Sequence, residues 1–160
     1  MIDDTDRKHL KRCIELAEEA LACGDEPFGS VLVSAEGHVL FEDHNWVVTE
    51  GDPTRHPEIK IARWAAKNMS PEERASATVY TSGEHCPMCA AAHGWVELGR
   101  VVYASSAAQL SSWMKEFGNG RPAVNPLPIE EIVRDIDVDG PVPELAEQVG
   151  ELHRHFHSGK

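Results

Sequence analysis

Leu10, Ile14, Ala17 and Leu21 recur at helical spacing in an otherwise polar segment from about Asp3 to Cys23, which predicts a packing helix with Gly24 as its stop. The period then shortens. Gly29–Val33 and His38–Val48 are rich in β-branched and aromatic residues on either side of Glu36-Gly37, the pattern of a two-stranded hairpin. Asp52-Pro53-Thr54 breaks that pattern, and a helical period resumes from Glu58 to Met69 through Ile61, Ala62, Ala65 and Ala66. Pro57 then sits in the first turn, where its missing N–H costs little. Ala77–Ser82 predicts a short buried strand, Pro87–Leu98 a helix, Gly99–Ala104 a strand, and Ala107–Phe117 a helix before the loop Gly118–Pro122. Ile129–Ile136 reads as a last strand, and Pro143–His157 as a closing helix with Leu145, Val149, Leu152 and Phe156 on its inner side. Strands alternating with helices predict a layered α/β domain.

The chain has 160 residues, enough for one domain spanning 1–160, and no linker or internal repeat divides it. Twenty-seven acidic against fifteen basic residues give a formal charge of −12, a field that repels phosphate backbones and anionic lipid. Neither nucleic acid nor a membrane is an expected partner. No apolar run approaches the roughly 20 residues of a membrane helix, the N-terminus lacks the basic and apolar regions of a secretion signal, and four cysteines are too few for a disulfide scaffold. These features predict a cytoplasmic location.

Two fragments carry the chemistry. His56-Pro57-Glu58 and Cys86-Pro87-Met88-Cys89 offer one imidazole, two thiols and one carboxylate, each fragment at the start of a predicted helix. One nitrogen and two sulfurs suit a zinc ion and leave its fourth position open, as in zinc sites that activate water. Cysteines at i and i+3 converge on one point, and a helix N-terminus favours their thiolates. Glu58, two residues after His56, projects at a different azimuth, so it is expected to miss the metal and reach a water beside it. A carboxylate so placed can take a proton from that water and return it to a leaving amine, which points to hydrolytic deamination. Cys-x-x-Cys alone would fit a structural zinc or a redox pair as well as catalysis; His-x-Glu and the flanking residues favour a catalytic zinc over both.

These residues resemble the cytidine-deaminase-like zinc deaminases, whose signature is His-x-Glu with Pro-Cys-x-x-Cys. Glu26-Pro27-Phe28-Gly29, Asn45 and Asp52-Pro53-Thr54 add similarity to the branch of guanine deaminases, cytosine deaminases and tRNA adenosine deaminases, over about residues 5–115. The resemblance implies a three-layer α/β/α sandwich around a mixed five-stranded sheet and a homodimer. It implies one zinc per chain on His56, Cys86 and Cys89, with Glu58 as general acid/base. It also implies that Asn45 hydrogen-bonds the bound base and that Phe28 packs near it. The expected substrate is a small heterocyclic base, guanine first, then isoguanine, cytosine-like bases and amino-triazines. Deamination of adenosine in tRNA and a non-catalytic zinc-stabilised module are the competing readings.

Two departures bear on substrate. The family's residue between histidine and glutamate is usually alanine, and here Pro57 offers no N–H to a substrate oxygen; proline usually precedes the first cysteine, and here it is His85. The segment Ala104–Gln109 lacks the acidic pattern of guanine-deaminase relatives, leaving Glu84 or Glu116 as substitutes. Trp95 reads as core or as a wall of the substrate cleft, His93 as structural, and Cys13 and Cys23 as packing residues. His153, His155 and His157 alternate on a helix, where i and i+2 do not face each other, so a solvated end is the simpler reading. The tail 143–160 could instead cover a substrate pocket, its own or a partner's.

Overall fold

The computed structural model describes residues 1–158. Asp3 and Asp6 start the first helix reciprocally: Asp3 Oδ1 accepts the Asp6 N–H at 2.8 Å and Asp6 Oδ2 the Asp3 N–H at 3.0 Å, a capping box for α1 (Asp4–Ala22). Strands β1 (Gly29–Val33) and β2 (Val39–His44) form the hairpin, with Gly37 at φ +89 in its turn. The second strand is shorter than its composition predicts. It stops at His44, and Val47–Glu50 coils into the single turn α2, closed by Gly51 at φ +64. Next come α3 (Pro57–Asn68), α4 (Pro71–Ser76), β3 (Thr78–Gly83), α5 (Pro87–Trp95), β4 (Arg100–Ser105), α6 (Ala107–Glu116), β5 (Val138–Asp139) and α7 (Pro143–Ser158).

The sheet has the order β2-β1-β3-β4-β5, with β1 antiparallel to β2 and β3 and the last three strands parallel. Alternation along the strands divides the core. Val31, Val33, Tyr80, Val102 and Ala104 face Leu10, Cys13 and Ile14 of α1 and Leu145 and Val149 of α7. Leu32 and Val79 face Ile61, Ala62 and Ala65 of α3, while Val101 and Tyr103 meet Ala90 of α5 and Ile129. Helices therefore cover both faces of a mixed five-stranded sheet, the three-layer α/β/α arrangement. Gly29 is where α1 crosses β1 most closely: a Cβ there would lie 2.4 Å from the Cys13 carbonyl oxygen and 2.5 Å from Leu16 Cβ.

Two predictions from periodicity need correction. Ile129–Ile136 is not a strand: Ile129–Glu131 is a 3₁₀ turn, Asp135 has φ +55, and the fifth strand is only Val138–Asp139. Ile129, Ile132, Val133 and Ile136 follow i, i+3, i+4, i+7 spacing, so they pack on Val101 and Tyr103 as a coiled segment would rather than alternating. The helix α4 went unpredicted although Ser70-Pro71-Glu72-Glu73 spells a capping box with proline at its first position.

Where β3 and β4 begin, Arg100 donates to both Asp6 oxygens (2.9 and 3.1 Å) and to Asp139 Oδ2 (2.7 Å), and the Tyr80 hydroxyl donates to Asp6 Oδ1 at 2.7 Å. Burial pushes the Asp6 carboxyl up, but Arg100, Tyr80 and the Asp3 N–H together hold it at about 2, against 3.8 unperturbed. A depressed carboxyl contributes stability above its unfolded value, lost as the pH falls from about 3.8 toward about 2. Asp6→Asn is therefore expected to destabilise the fold by about 2 kcal/mol at pH 7. Urea unfolding at pH 7 and at pH 2 should show the two proteins converging at the lower pH.

Candidate metal centre

The same local device builds both halves of the site. His56 is the N-cap of α3 and Cys86 the N-cap of α5, each followed by a proline at the first helical position. A residue before proline is steered to extended backbone, and His56 (φ −87, ψ 148) and Cys86 (φ −69, ψ 165) both adopt it. Neither side chain caps its own helix, so both are free to turn toward each other. His56 Nδ1 lies 3.4 Å from Cys86 Sγ and 3.6 Å from Cys89 Sγ, and the three donor atoms fall within 4.8 Å of one another. A tetrahedral zinc with Zn–S of about 2.3 Å and Zn–N of about 2.0–2.1 Å separates nitrogen from sulfur by about 3.5 Å. The donor types and their spacing thus fit zinc.

Among themselves the three groups favour a charge pair. Hydrogen bonding from Cys89, and then the neighbouring His56, bring the Cys86 thiol down to about 4 against the opposing effect of burial. Burial lowers His56, yet its bond to Cys86 and the charges of Glu58, Cys86 and Glu26 lift it to about 9. Cys89 is pushed up by Cys86, by burial and by Glu58.

Glu58 is 6% exposed and is not one of the three converging donors, although its carboxylate reaches the Cys89 thiol and helps to raise it. Its Oε1 accepts hydrogen bonds from Ser30 Oγ (2.7 Å) on β1 and Thr81 Oγ1 (2.8 Å) on β3, and the two hydroxyl oxygens lie 2.9 Å apart. Burial raises the Glu58 carboxyl above its ordinary value, only partly offset by His56 and the two hydroxyls. Ser30 and Thr81 escaped the sequence reading. Ser30 interrupts the apolar run of β1, but β3 also holds Thr78 and Ser82, so nothing local singled out Thr81.

Residues 3–105 match the family described as the cytidine and deoxycytidylate deaminase zinc-binding region. The chain belongs to this family. It is 36% identical over 101 residues to the tRNA-specific adenosine deaminase of Haemophilus influenzae, covering 63% of this chain and 58% of that protein. It is 39% identical over 97 residues to the guanine deaminase of Bacillus subtilis, covering 60% and 62% respectively. These matches span about three fifths of the length of those curated relatives. The solved guanine deaminase of Nitrosomonas europaea shares the fold, with a TM-score of 0.68 over 99% of this chain and 86% of that chain at 19% identity.

The other predicted residues of this deaminase-family site fall in different places. Asn45 is fully buried at the end of β2; its Oδ1 accepts the Val47 N–H at 2.9 Å, its N–H donates to the Phe28 carbonyl at 3.0 Å, and its Nδ2 reaches toward Glu26 Oε2 at 3.5 Å. It holds the first N–H of α2 and faces a carboxylate at once. The Phe28 ring lies beside Gly83, where a Cβ would be 3.4 Å from it, and packs edge-on against His153 of α7 at 4.8 Å. Pro57 is buried at the start of α3.

Trp95 is neither core nor beside the triad: it ends α5 with 87% of its surface exposed, on the rim of a groove of about 1130 Å³ that contains no predicted site residue but Trp95 itself. Glu84 is engaged elsewhere, accepting the N–H groups of Ala107 (2.9 Å) and Ile129 (2.8 Å), and Glu116 pairs with Arg154 on the surface. The solvated reading of the tail fails at His153, which is 1% exposed between Phe28 and the Trp113 ring at 5.9 Å. His157 stacks on Phe117 at 5.5 Å. Of the tail, residues 159–160 lie outside the described residues. His93 is structural, with Nε2 on the Gly99 carbonyl at 2.8 Å, and buried His85 meets its ring edge-on at 5.3 Å.

Proposed function

We propose that this chain releases ammonia hydrolytically from a small amino-substituted heterocycle, a free nucleobase with guanine as first candidate and isoguanine, cytosine-like bases and amino-triazines next. The observation that carries this reading is Glu58: a buried carboxylate, fixed by two hydroxyls, next to a His/Cys/Cys triad it does not join. A purely structural zinc needs no such acid, which argues against a non-catalytic module. His56, Cys86 and Cys89 would hold a zinc ion, which would serve as a Lewis acid able to lower the pKa of a water from about 15.7 to about 7. Glu58 takes one proton from the attacking water and delivers it to a ring nitrogen, then takes the second from the hydroxyl now on the ring carbon and gives it to the departing amine as the C–N bond breaks. Burial raises its pKa, which favours taking up the proton. Overall, base and water become the oxo-base and ammonia.

One zinc per chain and a homodimer belong to the same reading; the exposed Trp95 on α5 supports a face covered by a second copy. No helix among the described residues is long and apolar enough to cross a membrane. Four free cysteines, two of them at the triad, support a reducing cytoplasmic setting.

The identity to a tRNA-specific adenosine deaminase favours a second reading, RNA as substrate. The net charge of −12 opposes it, because an RNA enzyme needs a basic face. Incubating zinc-loaded protein with guanine, isoguanine, cytosine, 5-azacytosine, adenine, ammeline, the matching nucleosides and tRNA while measuring ammonia decides between them. Turnover of at least one free base well above every nucleoside and tRNA is the expected result; preference for tRNA or nucleosides overturns it.

A further inference from the structure

The deaminase reading leaves open what reads the edge of the base, and the structure narrows the choice. Glu84 is bound to two backbone N–H groups and Glu116 lies on the surface with Arg154, its side chain 56% exposed. Glu26 is placed differently. It sits in the turn before β1, its carbonyl accepting the Phe28 N–H at 2.9 Å, and its carboxylate faces the Nδ2 of Asn45 at 3.5 Å. Backbone hydrogen bonds tie this corner to the triad: Asn45 N–H to the Phe28 carbonyl at 3.0 Å, and Trp46 N–H to the carbonyl of Arg55, the residue before His56, at 3.1 Å. The negative charge of Glu26 is felt at His56. Among the described residues no ion pair involves Glu26, so one lysine or arginine does not neutralise it.

Pro57 stands where α3 begins and has no N–H, so a donor that a substrate oxygen could use is missing while a carboxylate acceptor is present. Asn45 cannot swing to compensate, because its Oδ1 is fixed by the Val47 N–H.

We propose that Glu26 determines specificity in this site by accepting a hydrogen bond from a ring N–H or second amino group of the substrate, selecting amino-heterocycles with a donor on that edge over those with a carbonyl there. The inference rests on the deaminase reading. Guanine has such an N–H next to its amino-bearing carbon. A carbonyl turned toward Glu26 would set two acceptors against each other, and sites that read a polar edge discriminate strongly against an analogue that cannot pair.

The test uses full-length zinc-loaded protein, Glu26→Gln and Glu26→Ala, with the base that wild type turns over fastest and its N-methyl analogues, measuring kcat and KM separately. Glu26→Gln, nearly isosteric and able to accept from Asn45, is expected to keep its zinc and Tm, raise KM about tenfold and change kcat less than about threefold. In wild type, methylating the N–H that faces Glu26 should reduce kcat/KM by about tenfold or more, a penalty that shrinks below about threefold in Glu26→Ala. Unchanged KM in both variants, or the same methylation penalty in all three proteins, overturns the assignment while leaving the deaminase reading intact. Should Glu26→Ala fail to fold, the KM of Glu26→Gln decides alone. Ammonia from no base in wild type removes both.

Discussion

Glu58→Gln is expected to bind zinc as wild type does and to lose about 10²–10⁴-fold in kcat. The carboxylate is not among the three donors that converge within 4.8 Å, so the metal has no reason to leave. The amide oxygen of glutamine can still accept from Ser30 Oγ and Thr81 Oγ1, so the side chain should stay in place. What it cannot do is take up a proton and release it. Burial already disfavours the charged form of Glu58, so the neutral amide should unfold at the same temperature as wild type or higher. Metal analysis, ammonia release and thermal unfolding on one preparation separate the roles. Turnover within tenfold of wild type would sink the proton-shuttle assignment, and loss of zinc would make Glu58 structural.

The residues that define the triad could be found in the sequence because their spacing is a local property. His56 and Cys86 each precede a proline, Cys89 follows Cys86 by one turn, and helix geometry converts those intervals into direction. The two hydroxyls that hold Glu58 could not be found that way. Ser30 and Thr81 face each other across β1 and β3, and their pairing depends on strand order, which no interval in the chain encodes. His153 shows the same limit. Alternation of histidines at 153, 155 and 157 suggested a solvated end, yet the inward face of α7 seats His153 between Phe28 and Trp113. The segment Ile129–Ile136 failed for another reason: its apolar positions have helical spacing, but Pro126 and Pro128 before it and Asp135 at φ +55 within it allow only a 3₁₀ turn and an irregular approach to β5. Long-range packing decided those elements.

That division matters for substrate. In the proposed reaction the triad and Glu58 act on the bond to be broken, whereas Asn45, Phe28 and Glu26 come together through the backbone ties between the β1 turn and the end of β2. Relatives that share the first set and differ in the second can act on different bases. Pro57 would be the point where the two sets touch, since it stands between His56 and Glu58 at the start of α3 and offers no N–H to a bound base.

Zinc binding to the stripped protein should depend steeply on pH. Zinc takes thiolate and neutral imidazole, so any proton on a ligand must leave first. Cys86, at about 4, is already a thiolate above pH 5. His56 keeps its proton up to about 9, and Cys89, raised by Cys86, burial and Glu58, keeps its own as well. Between pH 5 and 8 binding should therefore release about two protons and strengthen roughly 100-fold per pH unit. Competition with a chromogenic chelator gives the slope, and calorimetry in buffers of different ionisation enthalpy counts the protons. Saturating zinc should also raise Tm, since it binds the folded triad and an unfolded chain scatters its three donors across 33 residues of sequence. A pH-independent affinity would mean that the ion does not sit on His56 and Cys89, and an unchanged Tm would place it outside the folded triad altogether.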